Sequence, residues 1–467
     1  MDTQGQVSVE GKSSMTSPRA QDSIIDTCPA GTLDGLTIMR YAPFHSRERS
    51  NGGVEQYLRC LNRGLLQRHD LAILQVYRVR DIRGSRVDVE QVERGRVFWV
   101  PVPHQHTGSR FKDLPARARF VWRQTVGFPL EHPETKCKKS FATTRTLFEH
   151  SLRHLRHRSV TLSDPLSELL SACKVDLLAV HGLTYDADVL IDQAKKSGIP
   201  FVLINHFDNA HYCDPQVQEW IPDAAGVGAV SARDVPSTLR GSCVNLSDAV
   251  DTEFFALEQA QGTHVPASPM ILLPALIKPG KGHQDLIRAA KILARRKLDF
   301  EVCFAGAVES DSLCGDLRNQ ATDGLEFRVH FVGELGQNEI RNYYRLSSVV
   351  VLPSYCEGLG RSLLEAQAMQ RPVVAYDSGG ISETLLQNET GFLVKTGDVE
   401  SLADKIGFLL TNEAARHSMG KRGREFVTER FSVAALIERH EKFYLRALAH
   451  SSRRFCRSDQ LVERASD

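Results

Sequence analysis

Short apolar runs alternate with amphipathic stretches along most of the chain, and their spacing predicts the secondary structure. A helix is expected over 54–67, because Leu58, Leu61 and Leu65 recur on one helical face. Further helices are expected over 188–197, 283–296 and parts of 398–449. Strands are predicted at the short apolar runs 36–39, 71–76, 97–100, 177–181, 201–205, 270–273, 301–304, 329–332, 349–352 and 372–375. Apolar strands that alternate with helices are typical of a parallel, doubly wound sheet.

Length and a polar linker divide this pattern into two halves. A chain of 467 residues exceeds what one hydrophobic core usually holds, so two domains are expected. The stretch 253–270 becomes polar and contains prolines, as interdomain linkers often do. We predict a disordered tail, two α/β domains, a final helix and a polar tail, with boundaries at 1–34, 35–262, 263–430, 431–450 and 451–467.

The composition is that of a soluble globular protein and does not indicate a particular binding partner. Hydrophobic residues make up 42% and charged residues 25%, as in soluble globular proteins, and the net charge is only +1. The ten cysteines are scattered without a CxxC pair, which favours reduced thiols in a cytoplasmic protein and argues against a zinc site. Residues 1–29 lack the apolar segment of a signal peptide, and no apolar run is long enough to span a bilayer.

The most informative segment is 349–366, which predicts a strand, a glycine-containing turn and then a helix. Glu357 and Glu365 flank the turn with seven residues between them. Backbone N–H groups at a helix N-terminus bind anions, and carboxylates accept hydrogen bonds from hydroxyls. Such a site suits a nucleotide sugar, with the diphosphate expected on the amides of Gly358, Leu359, Gly360, Arg361 and Ser362.

The residues that follow, up to Val394, make the pattern of strand, turn and helix more specific. A second buried strand, a turn at Gly379-Gly380 and an apolar run that begins at Gly391 occur in this order. The run from Glu357 to Val394 resembles the E-x7-E region of the family-4 retaining glycosyltransferases, which have the GT-B fold. The resemblance implies two Rossmann-like domains that face each other across a cleft. Residues 263–430 would bind the nucleotide sugar, 35–262 would lie on the acceptor side, and the helix 431–450 would cross back to the N-terminal domain. It also implies that Glu365 holds the ribose and Glu357 the transferred sugar.

A second loop resembles the G-R-x4-K-G loop of that family, whose two cations neutralise the donor diphosphate. Its lysine corresponds to Lys281, but the arginine position holds Leu276. Losing a cation where negative charge develops removes transition-state stabilisation, unless Lys278 or Arg361 substitutes for it. The alternatives left open are a solvated surface lysine at 281, a protein that binds nucleotide sugar with weak or no transfer, and a GT-B epimerase.

Two sites in the N-terminal half complete the resemblance. Gly52 and Gly53 follow the first strand and resemble the glycine loop that faces the donor across the cleft, although a plain turn before a helix explains them too. His206 ends the strand 201–205, where open α/β sheets place ligands, and would contact the transferred sugar. The alternative is a strand-end histidine bonded to a neighbouring loop. His181 is a secondary candidate, and the segment that begins at Asp248 resembles one that ends the first domain, which we interpret as structural.

The segment 104–160 is basic and aromatic, with twelve lysines and arginines against four acids. Such a segment could contact anionic membrane and a lipid-linked acceptor, whereas a solvated insertion or a site for a phosphorylated acceptor is an equal alternative. Nucleic acid is not expected as a partner. Asp186-Ala187-Asp188 spells a DxD metal motif, but acids are favoured at a helix start in any case.

The combined prediction is a retaining glycosyltransferase that moves a sugar from a nucleoside diphosphate donor to a hydroxyl. His206, Lys281 and Glu357 would act at the reacting sugar. The resemblance implies neither a metal nor a cofactor. The predicted location is the cytoplasm, with peripheral membrane contact through 104–160 as an option.

Overall fold

The computed structural model describes most of two domains. The described residues are 32–42, 53–79, 88–92, 95–103, 174–182, 187–206, 214–233, 235–257, 268–309, 311–322, 324–325 and 328–465. The segment 104–160, Gly52 and most of the predicted tail 1–34 lie outside them. Residues 32–34, at the end of the predicted tail, are described, and Leu33 is fully buried.

The N-terminal domain is built on an eight-stranded sheet with the order β3-β4-β2-β1-β5-β6-β7-β8. Neighbouring strands are parallel except β3, which pairs antiparallel with β4 at the edge of the sheet. Its strands are β1 (Thr37–Tyr41), β2 (Ala72–Val79), β3 (Asp88–Val92), β4 (Gly95–Pro103), β5 (Leu177–His181), β6 (Phe201–Asn205), β7 (Gly226–Ala229) and β8 (Cys243–Asn245). Its helices are α1 (Gly53–Arg68), α2 (Ala187–Lys196) and α3 (Pro215–Trp220), with a 3-10 turn at Ile221–Asp223.

The C-terminal domain has a six-stranded sheet with the order β11-β10-β9-β12-β13-β14, and all its pairs are parallel. The strands are β9 (Met270–Pro274), β10 (Glu301–Ala305), β11 (Val329–Gly333), β12 (Ser347–Leu352), β13 (Val373–Tyr376) and β14 (Gly391–Val394). The helices are α4 (His283–Arg295), α5 (Asp311–Ala321), α6 (Gln337–Leu346), α7 (Arg361–Ala368), α8 (Val399–Thr411), α9 (Glu413–Phe431) and α10 (Val433–Ala465), with a 3-10 turn at Gly379–Glu383.

The central strands of both sheets consist almost entirely of apolar residues, so both faces of each sheet have to be covered. Strands β5 and β6 are buried at every position, and β12 is buried at all but one. Side chains of these strands point alternately into separate clusters on the two faces of each sheet. This arrangement confirms the predicted class of two doubly wound Rossmann-like domains. It places β9 and β12 side by side although β10 and β11 lie between them in sequence, and the crevice at such a crossover is where open α/β sheets bind ligands.

The last helix, α10, packs on the N-terminal domain although the chain reaches it from the C-terminal domain. Gly64 of α1 leaves room for Ile437, and Gly226 of β7 leaves room for Phe443. The backbone of α10 stays helical to Ala465, so most of the segment 451–467, which was expected to be a polar tail, continues the helix. Among the described residues, no helix combines the length and the apolar composition needed to cross a bilayer.

We expect Phe443→Ala to destabilise the protein by about 3–5 kcal/mol, because the ring is buried between α10 and the N-terminal sheet. The matched control is Phe408→Ala on α8, whose side chain is 43% exposed and which should cost about 1 kcal/mol or less. Denaturant unfolding measures both changes. Equal losses for the two variants would show that the α10 contact contributes no more than a surface residue.

Candidate functional site

Two loops at the carboxyl ends of β9 and β12 meet through glycine. Gly282 has φ +74°, and a Cβ atom there would overlap the carbonyl oxygen of Pro353. The amide of Tyr355 donates to the carbonyl of Gly280 at 2.8 Å. Lys281 Nζ and Glu357 Oε1 form an ion pair, with side chains 19% and 15% exposed. The structure therefore brings together two predicted site residues that are 76 positions apart in the sequence.

Helix α7 begins directly after this pair. Gly360 is its N-cap with φ +76° and provides no side-chain hydrogen bond to the first turn. The N–H groups that begin a helix have no intrahelical partners, so the amides at Arg361 and Ser362 are suited to an anion. Leu359 is only 5% exposed, and its side chain packs in the core below the turn, so only its backbone can serve a ligand.

The side chain of Arg361 is held between two carboxylates rather than directed freely at the turn. It contacts Asp248 at 3.2 Å and Glu365 at 3.2 Å, and all three side chains are 14% exposed. The Tyr344 hydroxyl donates to the other oxygen of Glu365 at 2.9 Å. Burial raises the pKa of Glu365 and of Asp248, and the Arg361 guanidinium opposes both shifts. The sequence analysis did not predict Asp248 or Tyr344 as site residues, and the segment that begins at Asp248 was interpreted as structural.

If Leu276 holds the position of the family's arginine, as the resemblance implies, the second cation would have to come from Lys278 or Arg361. Leu276 is 37% exposed on the loop after β9. Two carboxylates already surround Arg361, so its charge is compensated before any ligand binds. Lys278 is half-buried on the same loop as Lys281 and has no ion pair within the described part of the chain. Of the two candidates, Lys278 is therefore the one with an uncompensated charge.

His206 lies at the end of β6, next to the turn before α7. A Cβ atom on Gly358 would lie 3.5 Å from the His206 carbonyl oxygen, so the two domains touch here. The His206 Nε2 and His181 Nδ1 atoms are 2.9 Å apart, and the ring of Tyr57 packs edge-on at 4.6 Å. Burial, with a smaller contribution from Arg40, lowers the pKa of His206 to about 3, so the ring is neutral at neutral pH. Both predicted strand-end histidines therefore belong to one cluster.

The predicted glycine loop and DxD motif fall partly outside the described residues. Gly53 is the first residue of α1, and Gly52 is not described. Asp186 is also outside, whereas Asp188 accepts hydrogen bonds from the Val189 amide at 2.7 Å and from Gln216 at 3.2 Å. Asp188 thus serves the start of its own helix and the neighbouring α3.

Glu383 joins the two domains beside the candidate site, and the sequence offered no signal for this role. Its carboxylate accepts hydrogen bonds from the Ser231 hydroxyl at 2.7 Å and from the amides of Ala232 at 3.2 Å and Arg233 at 3.0 Å. The Arg233 side chain in turn pairs with Asp377 of the C-terminal domain. The Asn245 side chain is a fourth donor from the N-terminal domain, at 3.3 Å. Four donors to one carboxylate form a strong contact between the two domains at this side of the cleft.

We expect Glu383→Ala to raise the hydrogen-exchange rate of the amides at 232–233 by about tenfold or more. A hydrogen bond to a charged group contributes about 1.5–3 kcal/mol, and two such bonds would be lost. Exchange mass spectrometry of the peptide that contains these amides measures the change. Glu389→Ala is the matched control, because Glu389 pairs with Arg422 on the surface and is 59% exposed. Unchanged exchange in Glu383→Ala would contradict the interdomain role.

Three comparisons with known proteins agree on the architecture. Residues 256–426 match the sequence model of the family described as Glycosyl transferases group 1. Over 167 residues the chain is 28% identical to the capsular polysaccharide biosynthesis glycosyltransferase CapM of Staphylococcus aureus. That match spans 35% of this chain and 42% of the relative, so less than half of the relative's length is covered.

The solved structures match over nearly the whole chain at low sequence identity. A glycosyltransferase from Rickettsia africae superposes with a TM-score of 0.62 and 17% identity, covering 88% of this chain and 98% of that one. Anabaena HepE in complex with UDP and glucose superposes with a TM-score of 0.58 and 16% identity, covering 87% of this chain and 98% of that one. The chain therefore has the GT-B fold of glycosyltransferases, and its C-terminal domain matches the group 1 glycosyl transferase family.

Proposed function

We propose that the protein is a glycosyltransferase that moves a sugar from a nucleoside diphosphate-sugar to a hydroxyl acceptor with retention of configuration. The observation that carries this proposal is the meeting of three groups at one point of the cleft. These are the Lys281–Glu357 ion pair, the glycine turn that begins α7, and His206 from the opposite domain. A cation, free amides and a carboxylate together suit a diphosphate linked to a sugar.

The donor diphosphate would lie on the amides of 358–362 and on Lys281. Glu357 compensates the charge of Lys281 in the absence of donor, and the arriving phosphate oxygens would take over that ammonium group. The carboxylate would then accept hydrogen bonds from the sugar hydroxyls. Glu365 already receives one donor on each oxygen, from Arg361 and Tyr344, and a carboxylate has further acceptor capacity for ribose hydroxyls.

The chemical step we propose is a same-face displacement. The acceptor hydroxyl would attack the anomeric carbon from the side of the leaving diphosphate, and a diphosphate oxygen would take the hydroxyl proton as the glycosidic bond breaks. Negative charge grows on the diphosphate, so fixed cations and amides lower the barrier. His206 would bind sugar hydroxyls as a neutral ring, because a group with a pKa of about 3 is a weak base at neutral pH.

Support for a nucleotide-sugar donor also comes from the fold neighbours, since HepE was solved with UDP and glucose. The acceptor is proposed to be a hydroxyl of a glycan, a lipid-linked sugar or a small molecule. Membrane contact through 104–160 and a cytoplasmic location remain proposals that rest on sequence composition.

We expect the purified protein to release nucleotide from at least one member of a panel of UDP-, GDP- and ADP-sugars when a hydroxyl acceptor is present. EDTA should leave the rate within about twofold, because the proposed site neutralises the diphosphate with Lys281 and helix amides. Nucleotide release is measured by coupled assay, and thermal shift reports binding. Stabilisation by a donor without any turnover would favour the binding protein over the enzyme, and a rate restored only by Mn²⁺ or Mg²⁺ would contradict metal independence.

We expect Lys278→Ala to lower kcat by about 10- to 100-fold, because it removes the second cation that would face the leaving diphosphate. Adding Leu276→Arg to that variant should restore kcat by at least half of the decrease in log kcat. The control is Lys421→Ala, an exposed lysine on α9. Wild-type turnover in Lys278→Ala would mean that Lys278 is not the second cation. If turnover also survives Arg361→Ala, Leu276 does not occupy the position of the family's arginine.

A further inference from the structure

We propose that His440, on the last helix α10, is a positioning residue for His206, and that it acts through the hydroxyl and ring of Tyr57. This inference deepens the proposed function and rests on it, because it assigns to α10 a part in orienting the histidine that would contact the transferred sugar. The three residues come from α10, α1 and the end of β6, and each is less than a tenth exposed.

The contacts of His440 determine which of its nitrogens carries the proton. Its Nδ1 atom lies 3.0 Å from the carbonyl oxygen of Leu436, one turn earlier in the same helix. A carbonyl oxygen only accepts, so Nδ1 must donate and Nε2 must be the acceptor. The Tyr57 hydroxyl lies 2.8 Å from Nε2 and therefore donates to it. Burial lowers the pKa of His440 to about 3, which keeps Nε2 unprotonated and preserves this acceptor.

This hydrogen bond determines where the ring of Tyr57 can lie. Because the hydroxyl is bound to α10, the ring is anchored at one end and packs edge-on against His206, with centroids 4.6 Å apart and planes 85° apart. His206 also meets His181 edge to edge, with His206 Nε2 and His181 Nδ1 2.9 Å apart and the ring centroids 5.2 Å apart. Tyr57 and His181 thus restrict the ring plane of His206 from two directions.

Charged groups near His440, Tyr57 and His206 favour the neutral forms of the two histidines. The Arg40 guanidinium is fully buried, bonds Asn62, and lies 3.4 Å from the Tyr444 hydroxyl of α10. Its charge lowers the pKa of both His206 and His440, as does Arg439 for His440. Protonation of either histidine would place a second cation beside Arg40 in a buried environment. The contacts that lead from His440 through Tyr57 to His206 therefore join uncharged side chains.

Helix α10 connects His206 to the C-terminal domain, because it follows directly after that domain in sequence. Val250 and Ser432 form a bridge where the chain enters α10, and α10 then crosses to the N-terminal domain. His440 follows the C-terminal domain in sequence and reaches His206 of the N-terminal domain through Tyr57. Docking of α10 therefore completes the contacts that orient the His206 ring, together with the contact from His181.

The test compares three variants of the full chain, using the donor and acceptor found by the panel. His440→Leu removes the acceptor and keeps the bulk, Tyr57→Phe removes the donor and keeps the ring, and His440→Gln keeps an acceptor at about the same reach. We expect kcat to fall about 10- to 100-fold in the first two with KM changed less than about threefold, because misplacement of a group near the reaction has effects of this size. The double variant should be no worse than either single one, and His440→Gln should regain most of the rate.

Ile437→Val is the matched control on the same helix, since Ile437 packs on Gly64 and its aliphatic side chain can take no part in the hydrogen bond that links His440 to Tyr57. A second readout does not depend on turnover: the ring nitrogen shifts of ¹⁵N-labelled His206, assigned with His206→Gln, should change in His440→Leu and not in Ile437→Val. Unchanged His206 signals, or a defect in His440→Leu that Tyr57→Phe does not share, would overturn the proposal. If no donor is turned over, the proposed function fails, whereas the ring signals still decide whether His440 orients His206.

Discussion

The candidate site depends on close backbone contact among three loops at the carboxyl ends of β9, β12 and β13. Gly282 lies against Pro353, Gly379 lies against Glu357, and Gly380 lies against Gly358. A Cβ atom at Gly282, Gly379 or Gly380 would overlap the facing carbonyl oxygen, and two of these glycines also have positive φ. Glycine is therefore required for the loops to stack, and the stacking is what brings the lysine of one loop to the glutamate of the next.

Charge in this site is arranged in compensated groups. Lys281 is balanced by Glu357, and Arg361 is balanced by Asp248 and Glu365 from different parts of the chain. Buried ions are tolerated when each has a partner, so these groups can be prepared before a ligand arrives. Because of this balance, Arg361 is a poorer candidate than Lys278 for the second cation that the resemblance implies at position 276. A guanidinium between two carboxylates contributes little additional positive charge to a phosphate nearby.

The N-terminal domain contributes its part through helix α10 and the interdomain carboxylate Glu383. The hydrogen bonds of Glu383 to Ser231, Ala232, Arg233 and Asn245 hold the cleft from one side. Helix α10 holds it from another side, because it follows the C-terminal domain in sequence yet packs against Gly64. Its His440 bonds Tyr57, whose ring packs on His206. Both contacts bring residues of the N-terminal domain to the turn before α7. We infer that orientation of the reacting groups is a property of the two domains together.

The sequence by itself determined the α/β class and most of the strands, because continuous apolar runs such as 177–181 and 270–273 have few alternatives to a buried parallel strand. It did not predict β3 at the edge or the glycine-containing β7, where Gly226 and Gly228 are explained only by Phe443 of a distant helix. It also identified Lys281, Glu357, Glu365 and His206 as candidates, because the motifs that contain them are local features of the sequence. Only the tertiary structure decided their partners. Asp248 pairs with Arg361 across 113 positions and Tyr57 bonds His440 across 383, and no local pattern encodes contacts between residues that far apart in one chain.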